Sequence, residues 1–141
     1  MDAHKGGSVA LLRSSLQLAK ALHRSIVAQG VAIIAKQSIK TLKSFRVTVL
    51  HDGPSLALFC QPDTLMRLGF WLIDALRDIV GEQNNRRLVE KRARKRHKGA
   101  DDDSVAASER AARNLPFVLA ALDAARDVFV VVGVVGAADF G

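Results

Sequence analysis

One cysteine, Cys60, is the only thiol in the chain. It excludes an intramolecular disulfide, leaves no thiolate cluster for zinc or iron–sulfur chemistry, and suits a reducing compartment. The four histidines, His4, His23, His51 and His97, are scattered, with no pair at metal-ligand spacing. There is no glycine-rich loop to cradle a phosphate and no serine elbow. Asp101, Asp102 and Asp103 lack the alternating spacing, central glycine and closing glutamate of a calcium loop. Together these absences point away from an enzyme, a metal and a cofactor. The N-terminus also lacks a signal-peptide layout, because Arg13, Gln17, Lys20 and Arg24 interrupt its apolar residues every three or four positions. That alternation is closer to an organellar presequence. The uninterrupted apolar run over residues 128–138 is 11 residues long, well short of the roughly 20 that a spanning helix needs.

What is present is apolar and basic. The 141 residues are 49% hydrophobic with a mean hydropathy of +0.12, which argues against disorder over most of a one-domain length. The net charge of +7 is unevenly placed. Residues 1–85 carry +4, residues 86–98 carry +7 and residues 99–141 carry −4. Almost all the excess therefore sits in Arg86, Arg87, Lys91, Arg92, Arg94, Lys95, Arg96 and Lys98. A patch of this kind attracts phosphate, whether on nucleic acid or on lipid headgroups.

Helical spacing dominates the first half. Ser8 is placed to cap a helix over residues 9–29, with Leu12, Leu16, Leu22 and Ile26 on one face and Arg13, Lys20 and Arg24 on another. An apolar face beside a cationic edge suits either a helix packed on a core or one lying on anionic lipid. Gly30 punctuates, and a second amphipathic segment follows to Phe45. The run RVTVL at 46–50 leans towards strand, but one such run makes no sheet, so it reads as an extension of that helix. Asp52, Gly53, Pro54 and Ser55 mark a turn. A further helix carries Leu65, Leu68, Leu72, Leu76 and Ile79, and the basic run beyond it is helix-permissive. Residues 99–104 (GADDDS) read as an acidic linker. They separate an amphipathic region, 1–98, from a C-terminal apolar region, 105–141.

The last stretch opens with Asn114, Leu115 and Pro116, a helix-start signal, and then runs apolar. Asp123, Arg126 and Asp127 stand at i, i+3, i+4, one polar stripe if the segment is a helix. The expectation is an all-α protein, four to five amphipathic or apolar helices in a small bundle partly associated with a membrane.

Residues 120–137 (AALDAARDVFVVVGVVGA) resemble the last block of peroxin-11 type proteins, the peroxisomal and glycosomal membrane-elongation factors. Asp127, the apolar residues 128–132, Gly133 and Val134 take the family's acidic, apolar and glycine positions. Residues 68–79 (LGFWLIDALRDI), with Asp74 inside, look like that family's apolar helix. The resemblance implies a peroxisomal membrane protein that promotes membrane elongation, organelle fission and peroxisome biogenesis. It would insert an amphipathic helix among anionic lipids: Leu12, Leu16, Leu22 and Ile26 would form the wedge, and Arg13, Lys20 and Arg24 would meet the headgroups. It also implies a homo-oligomer, with Asp123 and Arg126 pairing between copies. Two rivals stand beside it. One is a soluble helical nucleic-acid-binding protein that uses the basic run at 86–98, although no aromatic is interleaved there for base stacking. The other is a helical accessory subunit of an organellar complex.

Overall fold

A computed structural model describes residues 3–94 and 115–135, with side chains at 8–79, 82 and 115–135. The fold is mixed α/β. Helix α1 (Ala3–Ala35) leads into strands β1 (Lys40–Thr41) and β2 (Arg46–Leu50). A one-turn helix α2 (Leu56–Phe59) and the long α3 (Pro62–Arg94) follow, and β3 (Phe117–Asp123) and β4 (Val128–Val134) close the described chain. The four strands form one sheet in the order β1-β2-β3-β4. The β2–β3 pair is parallel and the outer two pairs are antiparallel.

The all-α expectation is thus overturned, and the last stretch shows why. A short continuous apolar run fits a strand as well as a helix when only periodicity is considered. Here five valines in the seven residues of β4 favour the strand. Asp123, Arg126 and Asp127 are not a helical stripe but a hairpin turn. The Arg126 amide donates to the Asp123 carbonyl at 3.2 Å, the Ala125 amide donates to Asp123 Oδ1 at 3.1 Å, and Asp127 adopts a left-handed φ of 52°. RVTVL becomes a strand because β3, some seventy residues later, pairs with it from Arg46↔Phe117 to Leu50↔Ala121. The strands flanking residues 95–114 therefore share one sheet, and the acidic segment 99–104 lies outside the described residues.

Register places alternate residues on two faces. On the inner face, Phe117, Leu119 and Ala121 of β3 lie beside Thr48 and Leu50 of β2 and Val134 of β4, all buried. Leu65, Leu68 and Leu72 of α3, Phe59 of α2, and Ile26 and Ile33 of α1 join the same buried cluster. Gly69 permits the close approach of α3. A Cβ there would stand 2.7 Å from Val134 Cγ2 and 3.0 Å from Leu119 Cδ1.

Helix α1 does not break at Gly30, as its sequence suggested. The glycine lies buried against the ring of Trp71, where any side chain would collide. The helix ends instead in a Schellman motif. The Ser38 amide donates to the Ile33 carbonyl at 3.1 Å and the Gln37 amide to Ile34 at 3.0 Å, with Gln37 left-handed at φ 52°. At the other end, every side chain from Ser8 to Ala21 is exposed, so this half of the helix stands clear of the described core. Helix α3 starts with Pro62 in its first position, where the missing N–H costs nothing. It continues through Gly81 into the basic run.

Cys60 closes α2 against the sheet. Its thiol lies 3.5 Å from the carbonyls of Leu56 and Leu122. Burial, and then the nearby Asp123 carboxylate, push its pKa above the ordinary 9.0.

The packing sets the cost of individual substitutions. Leu68→Ala, at a side chain with 0% exposure, lowers unfolding free energy by about 2–5 kcal/mol in urea denaturation; Leu12→Ala, at 68% exposure, changes it by less than about 0.5 kcal/mol. Gln37→Gly raises stability by about 0.5–1 kcal/mol by relieving the left-handed residue. Because the folded state holds the Cys60 proton more tightly than the unfolded chain does, this contribution to stability is complete below pH 9.0 and declines as pH rises beyond it. Cys60 alkylation is accordingly slower than that of a free thiol at the same pH, and Asp123→Asn accelerates it.

Candidate nucleic-acid interface

Exposed cations lie on α1, on β1 and on their connections, and further cations are carried by the backbone of α3. On α1, Arg13, Lys20 and Arg24 are all exposed. Lys36, Lys40 and Lys43 follow around the end of that helix and β1, and Lys36 makes an exposed ion pair with Asp52 at 3.9 Å. An exposed pair of this kind adds little to stability, so it leaves the local charge balance as its main effect. On α3 the backbone carries Arg86, Arg87, Lys91, Arg92 and Arg94, with Arg87, Lys91 and Arg94 spaced at i, i+4, i+7. Lys95, Arg96 and Lys98 lie outside the described residues. A helix of 33 residues is about 50 Å long and a seven-residue strand about 23 Å, so α1 and α3 both outrun the sheet.

The residues read as a lipid wedge do not share one exposed stripe. Leu12 and Leu16 are 68% and 51% exposed, whereas Leu22 packs against the core and Ile26, at 6%, belongs to it. Asp123 and Arg126 face each other within one chain, 3.8 Å apart across the β3–β4 turn. Sequence reasoning singled out neither Arg46 nor Gln29, both buried. Arg46 opens β2, and burial lowers its pKa from the ordinary guanidinium value. Gln29 reaches the left-handed Gly53 in the turn after β2. A cation at the head of RVTVL and an amide inside an amphipathic helix give no signal of burial by themselves.

Among the described residues no three His, Cys, Asp or Glu side chains gather as a metal site. An open groove of about 450 Å³ between α1 and α3 is lined, among the described residues, by Val31, Ile34, Trp71, Ala75 and Ile79, with Asp78 the one charged side chain among them. This described lining offers apolar contact.

Comparison with known proteins gives a consistent picture. The CDC45 family model matches residues 1–141. Protein TSD2 of Mycosarcoma maydis is 44% identical over 133 residues, which cover 94% of this chain and 14% of TSD2. Cell division control protein 45 of Saccharomyces cerevisiae is 45% identical over 82 residues, 58% of this chain and 13% of that protein. The homolog from Schizosaccharomyces pombe is 37% identical over 67 residues, 48% of this chain and 10% of its own length. The chain thus spans about one seventh of the length of TSD2 and less of the other two.

These matches overturn the peroxin-11 resemblance and everything it implied: the peroxisomal membrane location, the anionic lipid partner, the homo-oligomer, and the part in elongation or fission. The resemblance rested on apolar runs punctuated by a carboxylate, a composition that strands and helices share. Identity in more than two residues of five across nearly the whole chain is a far more demanding condition, and by it the chain belongs to the CDC45 family.

Proposed function

We propose that this chain is part of a nuclear DNA replication initiation factor, to which it contributes binding surface and no catalysis. The observation that carries the reading is the family match over all 141 residues. The 45% identity to a protein named for control of cell division supports it.

The charge distribution supports a nucleic-acid contact through the basic run. Eight cations against one carboxylate over residues 86–98 form the strongest electrostatic feature in the sequence. The part carried by α3 lies in the last turns of a helix that is longer than any strand of the sheet. Lys and Arg on such a helix meet phosphates and release counterions, which gives affinity with little base discrimination. The absence of an interleaved aromatic fits contact with the backbone in preference to base stacking.

Titration of labelled duplex DNA at several salt concentrations tests this role. Log affinity falls steeply with log salt for the unsubstituted protein. Replacing Arg92, Arg94, Lys95 and Arg96 by alanine makes that slope shallower by about 3 to 4, close to 0.9 for each phosphate that the variant no longer neutralises. An unchanged slope and affinity would remove the basic run from the reading.

A further inference from the structure

Between Asp2 and Asp52 the chain carries eight Lys and Arg residues and no carboxylate. Helix α1 fills most of that span, and on it Arg13, Gln17, Lys20 and Arg24 recur at i, i+4, i+7 and i+11. At 3.6 residues per turn these four fall within about 60° of one another, in a row about 16 Å long. Ile26, Gln29 and Ile33, which the same helix buries, centre about half a turn away. The row therefore lies on the side of α1 opposite those core contacts. Leu11 and Leu18, exposed at 68% and 72%, continue the core side of the helix, so protein packed against them leaves the row open. All four side chains of the row are exposed, and among the described residues none of them has an ion-pair or hydrogen-bond partner. The three cations present only N–H donors, and the Gln17 amide adds two more.

We infer that this row is a second contact surface for the sugar–phosphate backbone of DNA, separate from the basic run of α3. It rests on the DNA replication reading proposed above and names a further part of the chain that meets the nucleic acid. Charge selects the ligand. A helix with cations and no carboxylate attracts a polyanion, and a straight row of free donors suits a run of phosphates better than a single small anion. The helix carries no Phe, Trp or Tyr on which a base could stack, so the contact has little sequence preference. Anionic lipid shares the phosphate chemistry, but it needs apolar side chains submerged beside the cations. Leu22 and Ile26, two of the four candidates for that wedge, are committed to the protein core.

Fluorescence anisotropy of labelled duplex DNA with the 141-residue chain, over a series of salt concentrations, tests the row. In the combined variant Arg13→Gln, Lys20→Gln, Arg24→Gln, affinity at low salt is expected to fall at least tenfold. The slope of log affinity against log salt becomes shallower by about 2 to 3, near 0.9 for each phosphate released. Arg13→Lys with Arg24→Lys, which keeps the charge, retains the slope. Lys36→Gln, Lys40→Gln and Lys43→Gln together remove the same charge beyond the end of α1; an equal loss from that variant would mean diffuse attraction and overturn the row. A photo-cross-linking residue at position 17, with every cation in place, is expected to capture DNA, and one at position 11, on the opposite side, is not. Equal capture at both would also overturn it. So would a variant of the row that binds DNA normally but loses phosphatidylserine vesicles, because the partner would then be lipid. Unchanged DNA binding by the row variant, beside a loss in the variant of the basic run, would remove the row and leave the proposed function standing. Absence of salt-dependent binding by the unsubstituted chain would sink both.

Discussion

The close approach of α3 to the β3–β4 hairpin is the constraint on which the other packing depends. At Gly69 the helix backbone comes near enough to Val134 and Leu119 that a single added methyl would collide. That approach lets Leu65, Leu68 and Leu72 pass below the surface and exclude water from Phe117, Leu119 and Ala121. The parallel β2–β3 pairing needs a crossover connection, and α2 with α3 supplies it. With the sheet fixed, Ile26 and Ile33 of α1 find the remaining edge of the buried cluster, and Gly30 against Trp71 sets how closely α1 lies on α3.

Much of the helical half was legible in the sequence. The apolar spacing of Leu65, Leu68 and Leu72 names the buried face of α3, and Asp52, Gly53, Pro54 and Ser55 mark the turn that follows β2. Helix α1 nevertheless runs past the glycine, Gly30, that punctuates its sequence. Glycine lowers helix stability by about 1 kcal/mol, and Gly30 is there for tertiary contact with Trp71, which lies forty-one positions away and invisible to a local window. Helix α1 ends at Ala35, and the left-handed position that closes it is held by Gln37, an unusual occupant and hence no signal.

The sheet was illegible for a related reason. Strand identity is usually read from alternation, and alternation arises only when one face meets water. β3 and β4 are apolar on both faces, so the period-2 signature is absent, and their intervening Asp123, Arg126 and Asp127 happen to fall at a helical spacing. What distinguishes the segment is its valines, whose branched side chains resist helix and suit a pleated surface. RVTVL illustrates the complementary difficulty: its alternation was plain, but the partner that makes it a strand is β3, far along the chain. Of the candidate site, the sequence disclosed where the cations are and how unevenly they are spread, because charge needs no fold to be counted.

Composition also could not decide whether the apolar flank of α1 meets lipid or protein. Ser8–Ala35 is long and apolar enough, by length and composition, to cross a membrane. The same helix places Ile26, Gln29, Gly30 and Ile33 inside a protein core. Apolar burial has no directionality and the free energy per unit area is the same in kind for either partner. What separates the two cases is the detail on the partner's side. Gly30 fits one indole ring, and Gln29 reaches one turn glycine. Hydrocarbon chains require neither, and a buried amide side chain among them would be costly. The residues that argue for a protein partner are therefore the small and polar exceptions within the apolar face, more than the leucines that define it.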